Sequence, residues 1–239
     1  MLKKFKSISS FQKKYDRDGY YIFKDILSNR AKKELTSLLV QSYSKISDSK
    51  VRKDMLMNFV YDYEKNKKFD ELYAAYKIMS NSKIFKNIEK ELITFSHYLF
   101  NKKYKHLTRG FALGVKNSKR TSYDWHQEQA YYQGLDETVH YQFSMLNKCN
   151  KSNGTMSVLS GSHKEGFIRK IKDKTLHKKS VQILIPNNIR KLQMKYKEIF
   201  INLNPEDICI FHPNIVHKSN PTISTKNKTR FVGIVRLTQ

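Results

Sequence analysis

The chain has 239 residues, 39% of them hydrophobic, which is enough to bury a sizeable core in one domain spanning residues 1–239. With only Cys149 and Cys209, a disulfide framework is excluded and a reducing compartment fits. The sequence has no apolar run near the ~18 residues of a membrane span and no apolar segment after its basic start, so we expect a cytoplasmic protein without a signal peptide.

The formal net charge of +25 raises the question of nucleic-acid binding. The lysines are spread along the whole chain rather than striped, and abundant Asn and Ile beside them indicate a drift toward A/T-rich codons. Composition bias therefore explains the charge better than nucleic-acid binding does. A basic surface would still suit an anionic small-molecule substrate.

The first half of the chain is predicted to be mainly helical. Asp18-Gly19 predicts a turn and Tyr20–Phe23 a strand. Ser28-Asn29 predicts the start of a helix over residues 30–40. A longer helical region is predicted from about Asp48 to Leu99, with inward positions at Met55, Phe59, Leu72, Tyr76, Ile84, Ile88, Leu92 and Phe95.

From Lys105 the hydrophobic pattern changes to period two, with turn signals between short segments. This predicts strands at 110–115, 122–128, 138–146, 157–159, 182–185, 199–202, 208–212 and 231–237. Eight short strands after a helical first half predict an α+β, mainly β fold: a double-sheet roll backed by helices. The basic run from Lys164 to Lys179 is predicted to be an exposed loop over the mouth of the barrel.

A candidate metal site begins at His126 and Glu128. Side chains two residues apart on a strand point to the same face, so both can reach one metal ion. His217, at the end of a short apolar run, offers a third ligand. Two histidines and one carboxylate form the facial triad of non-heme Fe(II) oxygenases, which leaves three metal positions open. A His-x-Glu pair alone arises often by chance.

Several motifs in order resemble the phytanoyl-CoA dioxygenase-like family over nearly the whole chain. They are Asp18-Gly19-Tyr20, His126-Gln127-Glu128, Asn153-Gly154, Ser160-Gly161-Ser162-His163-Lys164, and His217-Lys218-Ser219 followed by Pro221 and Arg230. The resemblance implies a double-stranded β-helix (jelly roll, cupin-like) and Fe(II) and 2-oxoglutarate as cofactors with O2 as cosubstrate. It also implies oxidation of a small molecule, such as hydroxylation of an unactivated C–H bond, with release of succinate and CO2.

The resemblance also implies the site residues. His126, Glu128 and His217 match the iron ligands, and Arg230, helped by Ser219, matches the group that binds the far carboxylate of 2-oxoglutarate. The family usually has Asp at the position of Glu128. Arg230 lies two residues further from His217 than usual, and Lys228 falls at the usual spacing. We prefer Arg230 because a planar guanidinium can bind a carboxylate through two bonds.

Other readings remain open at this point. Arg236 shares the face of Arg230 by alternation and is its competitor, and His212 is the competitor of His217. A zinc deaminase is excluded because the two cysteines lie far apart. The non-enzymatic rival is a catalytically degenerate basic barrel that binds nucleic acid or another polyanion. Desaturation or epimerisation on the same fold is a further alternative, whereas halogenation is disfavoured because Glu128 occupies the place of the halide.

Overall fold

A computed structural model describes residues 1–3, 9–47, 50–135, 137–172, 182–226 and 229–239. Within these ranges the helices are α1 (Ser9–Asp18), α2 (Asn29–Ser44), α3 (Leu56–Lys65), α4 (Phe69–Ser80), α5 (Lys83–Phe100) and α6 (Pro186–Lys195). The strands are β1 (Tyr20–Phe23), β2 (Lys105–Val115), β3 (Tyr123–His126), β4 (Thr138–Ser144), β5 (Met156–Leu159), β6 (Lys170–Lys172), β7 (Gln182–Leu184), β8 (Glu198–Phe200), β9 (Ile208–Phe211), β10 (His217–Ser219) and β11 (Thr229–Thr238).

The strands form two larger antiparallel sheets and a small one. One sheet has the order β1-β9-β4-β11-β2, the second has the order β3-β10-β5-β8, and β6 pairs with β7. Neighbours in each larger sheet are distant in sequence, as in a roll in which the chain crosses between the sheets. This arrangement confirms the predicted double-stranded β-helix with helices mainly from the first half.

Strand β11 shows how the layers are built, because its side chains alternate between two environments. Phe231, Val235 and Leu237 pack into the core beneath the helices. Val232 and Ile234 pack into a second core between the sheets, with Met156 and Val158 of β5 and Cys209 and Phe211 of β9. Arg230 and Arg236 have the same parity as Val232 and therefore lie on the inner face, inside the roll.

The helical layer differs from the single long region predicted. Lys67, in the left-handed conformation (φ 59°), separates α3 from α4, and the side chain of Ser82 caps α5 by accepting a hydrogen bond from the Phe85 amide. The predicted inward positions Leu72, Ile88 and Leu92 are buried, but Met55 is 47% exposed because it precedes the first turn of α3. The cap predicted at Ser28 is confirmed, since its side chain accepts from the Ala31 amide.

Four further elements differ from the prediction. Residues 9–18 form α1 ahead of the predicted turn, and Pro186 begins α6 where only a turn was predicted. His217–Ser219 is a strand, β10. The predicted loop over residues 164–179 begins within a 3-10 turn (Ser162–Glu165) and contains strand β6, while its last part, from residue 173, lies outside the described residues, as does Lys228.

None of the helices in the described ranges is both long enough and apolar enough to cross a membrane.

Candidate metal centre and the cavity around it

His126, Glu128 and His217 come together inside the roll. One ligand atom from each lies within 4.8 Å of the other two, and all three side chains are buried. The His217 Nε2 is 3.6 Å from the Glu128 Oε1, and the two imidazole centroids are 4.2 Å apart. In the described part of the chain this is the one cluster of three or more His, Cys, Asp or Glu side chains able to hold a metal ion.

Strand pairing brings the two histidines together. His126 ends β3, His217 begins β10, and the two residues are direct partners across these antiparallel strands. Glu128 is not on the strand as predicted, because β3 ends at His126 and Glu128 begins a 3-10 turn, Glu128–Tyr131. Gln127 between them keeps an extended backbone (φ −119°, ψ 137°), so the alternation that sends Glu128 to the side of His126 survives the end of the strand.

Backbone carbonyls fix the orientation of both imidazoles. The Nδ1 of His126 donates to the Asp124 carbonyl at 2.6 Å, and the Nδ1 of His217 donates to the Ile215 carbonyl at 3.0 Å. Because a carbonyl only accepts, each ring carries its proton on Nδ1 and has the lone pair of Nε2 free for a metal. Burial, aided by His217, lowers the pKa of His126 to about 3, so this ring is neutral near pH 7.

The carboxylate of Glu128 is held in its ionised form. The Nε of Arg236 donates to Oε2 at 3.0 Å and its Nη2 donates to Oε1 at 3.3 Å. Burial by itself would raise the pKa of Glu128, but Arg236, the largest opposing cause, holds it well below its usual range. Two imidazole nitrogens and one ionised carboxylate match the donor set of a two-histidine, one-carboxylate iron site.

Arg230 lies on the inner face of β11, and no acidic side chain of the described residues pairs with it. The residue is 2% exposed, and within the same described ranges neither Nε nor Nη2 has a hydrogen-bond partner. The guanidinium lies against Gly114 of β2, where a Cβ atom would approach Nε to 2.9 Å. Burial lowers the pKa of Arg230. Because an unpaired buried charge is costly, this guanidinium is a candidate for binding an anion.

A cavity of about 460 Å³ connects these groups. Its wall contains the three candidate ligands together with Arg230, Arg236 and Ser219. Aromatic and polar side chains complete the lining, among them Phe69, Tyr73, Tyr76, Phe111, Arg120, Tyr123, Tyr131, Tyr132, Gln142 and Phe211. Of the two arginines in competition, Arg236 is paired with Glu128 and Arg230 is free, so Arg230 is the better candidate for a carboxylate ligand.

The other histidines considered for the site have structural partners. His212 accepts a hydrogen bond on Nδ1 from the Asn214 amide at 3.0 Å. His163 donates from Nε2 to the Asp16 carbonyl at 3.2 Å, which ties its loop to α1. His140 of β4 was not predicted as a site residue, because only the pairing of β4 with β11 brings it near Glu128. It lies 3.7 Å from Glu128, measured from Nδ1 to Oε2.

Gln127 connects the ligand strand to two neighbouring loops. Its side chain is 1% exposed, and its Nε2 donates to the carbonyls of Gly166 (2.8 Å) and Asn214 (2.6 Å). Its Oε1 accepts from the Ile168 amide at 2.9 Å. These three bonds fix residues 126–128 against the two loops, so Gln127 has a structural role.

We expect Gln127→Leu to lower the free energy of unfolding by on the order of 3 kcal/mol, because it leaves three backbone groups without partners. Urea denaturation measures this change. Gln133→Leu is the matched control: Gln133 is exposed and makes one side-chain hydrogen bond, to the Ala130 carbonyl at 3.2 Å, so its replacement should change stability by about 1 kcal/mol or less. A Gln127 variant as stable as its control would show that water replaces the side chain.

Comparisons with known proteins agree with this architecture. The sequence profile of phytanoyl-CoA dioxygenase (PhyH) matches residues 15–231. No curated protein matches the chain significantly in sequence.

Among solved structures, EctD from S. alaskensis, with 2-oxoglutarate and 5-hydroxyectoine, is similar with a TM-score of 0.68 and 14% identity over 96% of this chain and 75% of EctD. AviO1 from Streptomyces viridochromogenes Tue57 gives 0.60 and 12% over 99% of this chain and 97% of AviO1. The non-heme α-ketoglutarate-dependent epimerase SnoN from nogalamycin biosynthesis gives 0.61 and 11% over 97% of this chain and 82% of SnoN.

Identities this low establish the fold alone, whereas the profile match covers most of the chain and establishes the family. The enzyme class expected from the sequence is thereby confirmed. The chain belongs to the phytanoyl-CoA dioxygenase (PhyH) family of Fe(II)- and 2-oxoglutarate-dependent oxygenases.

Proposed function

We propose that this protein oxidises a small anionic molecule with Fe(II), 2-oxoglutarate and O2, and that His126, Glu128 and His217 are its iron ligands. Arg230, assisted by Ser219, would bind the far carboxylate of 2-oxoglutarate. The observation that carries the proposal is the convergence of the three ligand side chains beside a buried, unpaired guanidinium in one cavity.

Each residue has a definite task in this proposal. The two Nε2 atoms and the Glu128 carboxylate hold the metal on one side and leave the other open to the cavity. Arg230 offers its Nε–Nη2 edge, the edge by which Arg236 binds Glu128, as a two-bond fork for a carboxylate. Iron and 2-oxoglutarate, when bound, supply the oxidising power for an unactivated C–H bond, with succinate and CO2 as by-products.

The charges around the cavity favour an anionic substrate. Arg236 is compensated by Glu128, and Arg120 by Glu64, which accepts from its Nε and Nη2. The charges of Fe(II) and of 2-oxoglutarate cancel, so the loaded site keeps the one positive charge of Arg230. A monoanionic substrate would neutralise it in a partly buried space, where charge matters more than in water. Hydroxylation is the outcome we expect.

We further propose that residues 1–239 act as one domain and that the protein works in the cytoplasm. Both cysteines are free and buried, which fits a reducing compartment.

Succinate formation tests the proposal. Purified protein supplied with Fe(II), 2-oxoglutarate and O2 should form succinate slowly, faster when an accepted acidic metabolite is added, and not at all without iron. Mass spectrometry of the product then separates oxygen insertion from desaturation or epimerisation. Absence of iron-dependent turnover, together with polyanion binding that weakens steeply with salt, would instead support the degenerate basic barrel.

A further inference from the structure

The two carboxylate oxygens of Glu128 lie in different surroundings. Oε2 has the shorter bond to Arg236, 3.0 Å from Nε, and it faces the Nδ1 of His140 at 3.7 Å. Oε1 has the longer bond, 3.3 Å from Nη2, and faces the Nε2 of the candidate ligand His217 at 3.6 Å. Oε1 therefore points to the metal position, and Oε2 points back into the sheet.

His140 closes the side of Oε2. It is directly opposite Arg236 on the neighbouring strand, β4, and is fully buried. Its Nε2 is 2.9 Å from the hydroxyl of Thr138, while its Nδ1 has no hydrogen-bond partner among the residues that the structure describes. When the Thr138 hydroxyl donates to Nε2, the proton of the neutral ring lies on Nδ1 and is directed at Oε2. Arg236, through two hydrogen bonds, and His140, which faces Oε2 at 3.7 Å, are thus a cross-strand pair that flanks the carboxylate, called here the carboxylate clamp.

This clamp bears on how many metal positions remain open. A carboxylate can bind a metal through one oxygen or through two. Two imidazoles and one carboxylate oxygen leave three positions open on a six-coordinate metal. This is the number required when 2-oxoglutarate binds through two atoms and O2 takes the third position. A second oxygen from Glu128 would occupy one of them. Glutamate also has one more side-chain torsion than aspartate, so its carboxylate turns more readily unless its surroundings prevent it.

Resting on the proposed function, we propose that Arg236, supported by His140, is a positioning residue that holds Oε2 of Glu128 off the metal. Glu128 then binds through Oε1 alone, and the site keeps its full set of open positions. Arg236 touches neither 2-oxoglutarate nor the metal in this role. It acts through the carboxylate, to which it donates two hydrogen bonds.

Arg236→Met in the Mn(II)-loaded protein tests this role without turnover. We expect the variant to keep Mn(II) but to lose one exchangeable metal-bound water. The number of waters is measured from the broadening of the Mn(II) electron paramagnetic resonance lines in ¹⁷O-water. The affinity of the Mn(II)-loaded protein for 2-oxoglutarate, measured by anaerobic calorimetry, should fall by on the order of tenfold, the lower end of the loss of metal affinity or activity that follows removal of a group orienting a metal ligand.

Arg109→Met is the matched control. Arg109 has the same side-chain exposure as Arg236, 17%, and it pairs with Glu89, which is buried outside the cavity lining. This variant should lose stability but keep the number of waters and the affinity for 2-oxoglutarate. If Arg236→Met does not fold, Arg236→Lys serves instead, because an ammonium cannot bind both carboxylate oxygens of Glu128 as a guanidinium does. The Mn(II) site of this variant should also lose a water.

An unchanged number of waters and an unchanged 2-oxoglutarate affinity in the folded Arg236 variants would overturn the inference while leaving the proposed function intact. A wild-type protein that binds neither Mn(II) nor 2-oxoglutarate would overturn the proposed function, and the inference with it.

Discussion

Replacing His217 with alanine is expected to abolish iron-dependent consumption of 2-oxoglutarate, and His126→Ala is expected to do the same. Each change removes one of the three candidate ligands of a buried cluster. In the native protein each of these rings is already oriented for metal binding by the hydrogen bond from its Nδ1 to a backbone carbonyl. Succinate formation and Fe(II) binding under nitrogen should both fall to background.

His212→Ala is the control for these variants. His212 lies five residues before His217 and is hydrogen-bonded to the Asn214 amide rather than directed at the cluster. Its replacement should leave Fe(II) binding and turnover per folded protein near the wild-type level. Equal loss in all three variants would show that the third ligand has been misassigned.

Arg230→Met is expected to have opposite effects on ligand binding and on stability. Loss of two charge-assisted bonds to a carboxylate should weaken 2-oxoglutarate binding by about 3–5 kcal/mol, two orders of magnitude or more in Kd. Without 2-oxoglutarate, the variant should be more stable than the wild type by on the order of 1 kcal/mol, because an apolar side chain of similar length replaces an unpaired buried charge. Urea denaturation with and without 2-oxoglutarate measures both effects.

Arg120→Met provides the contrast for Arg230→Met. Arg120 lines the same cavity but is bound to Glu64, which is 8% exposed. Removing Arg120 leaves that acid buried without its partner, so this variant should lose about 3–5 kcal/mol of stability. If Arg230→Met were destabilised to the same extent, Arg230 would be part of the folding core rather than a free receptor for an anion.

Period-two alternation carried much of the prediction from sequence to site. It placed His126 and Glu128 on one side, and the structure brings these residues together with His217 although the strand ends before Glu128. It also placed Arg230 and Arg236 on one face of β11, where both line the cavity. Alternation succeeded here because it depends on an extended backbone, not on a continuing strand partner.

The parts that the sequence did not predict depend on contacts between distant segments. The Arg236–Glu128 pair joins residues 108 positions apart, and His140 reaches Glu128 only through the register of β4 against β11. Helix α1 was missed because its apolar face is short, with only Phe11 and Tyr15 buried. Met55 was predicted to be inward by helical spacing, but α3 begins one residue later.

The pairing of β3 with β10 divides the centre into a stiff half and an adjustable half. The hydrogen-bonded pairing of the two strands sets the spacing of the two imidazoles, so neither ring can move far without disrupting the sheet. The carboxylate lies beyond the end of β3, and side chains, chiefly Arg236, hold it in place, so a substitution can move it without disturbing the ladder. Removal of the acid should therefore leave the two imidazoles near their present separation, because the strand ladder and not the carboxylate sets it.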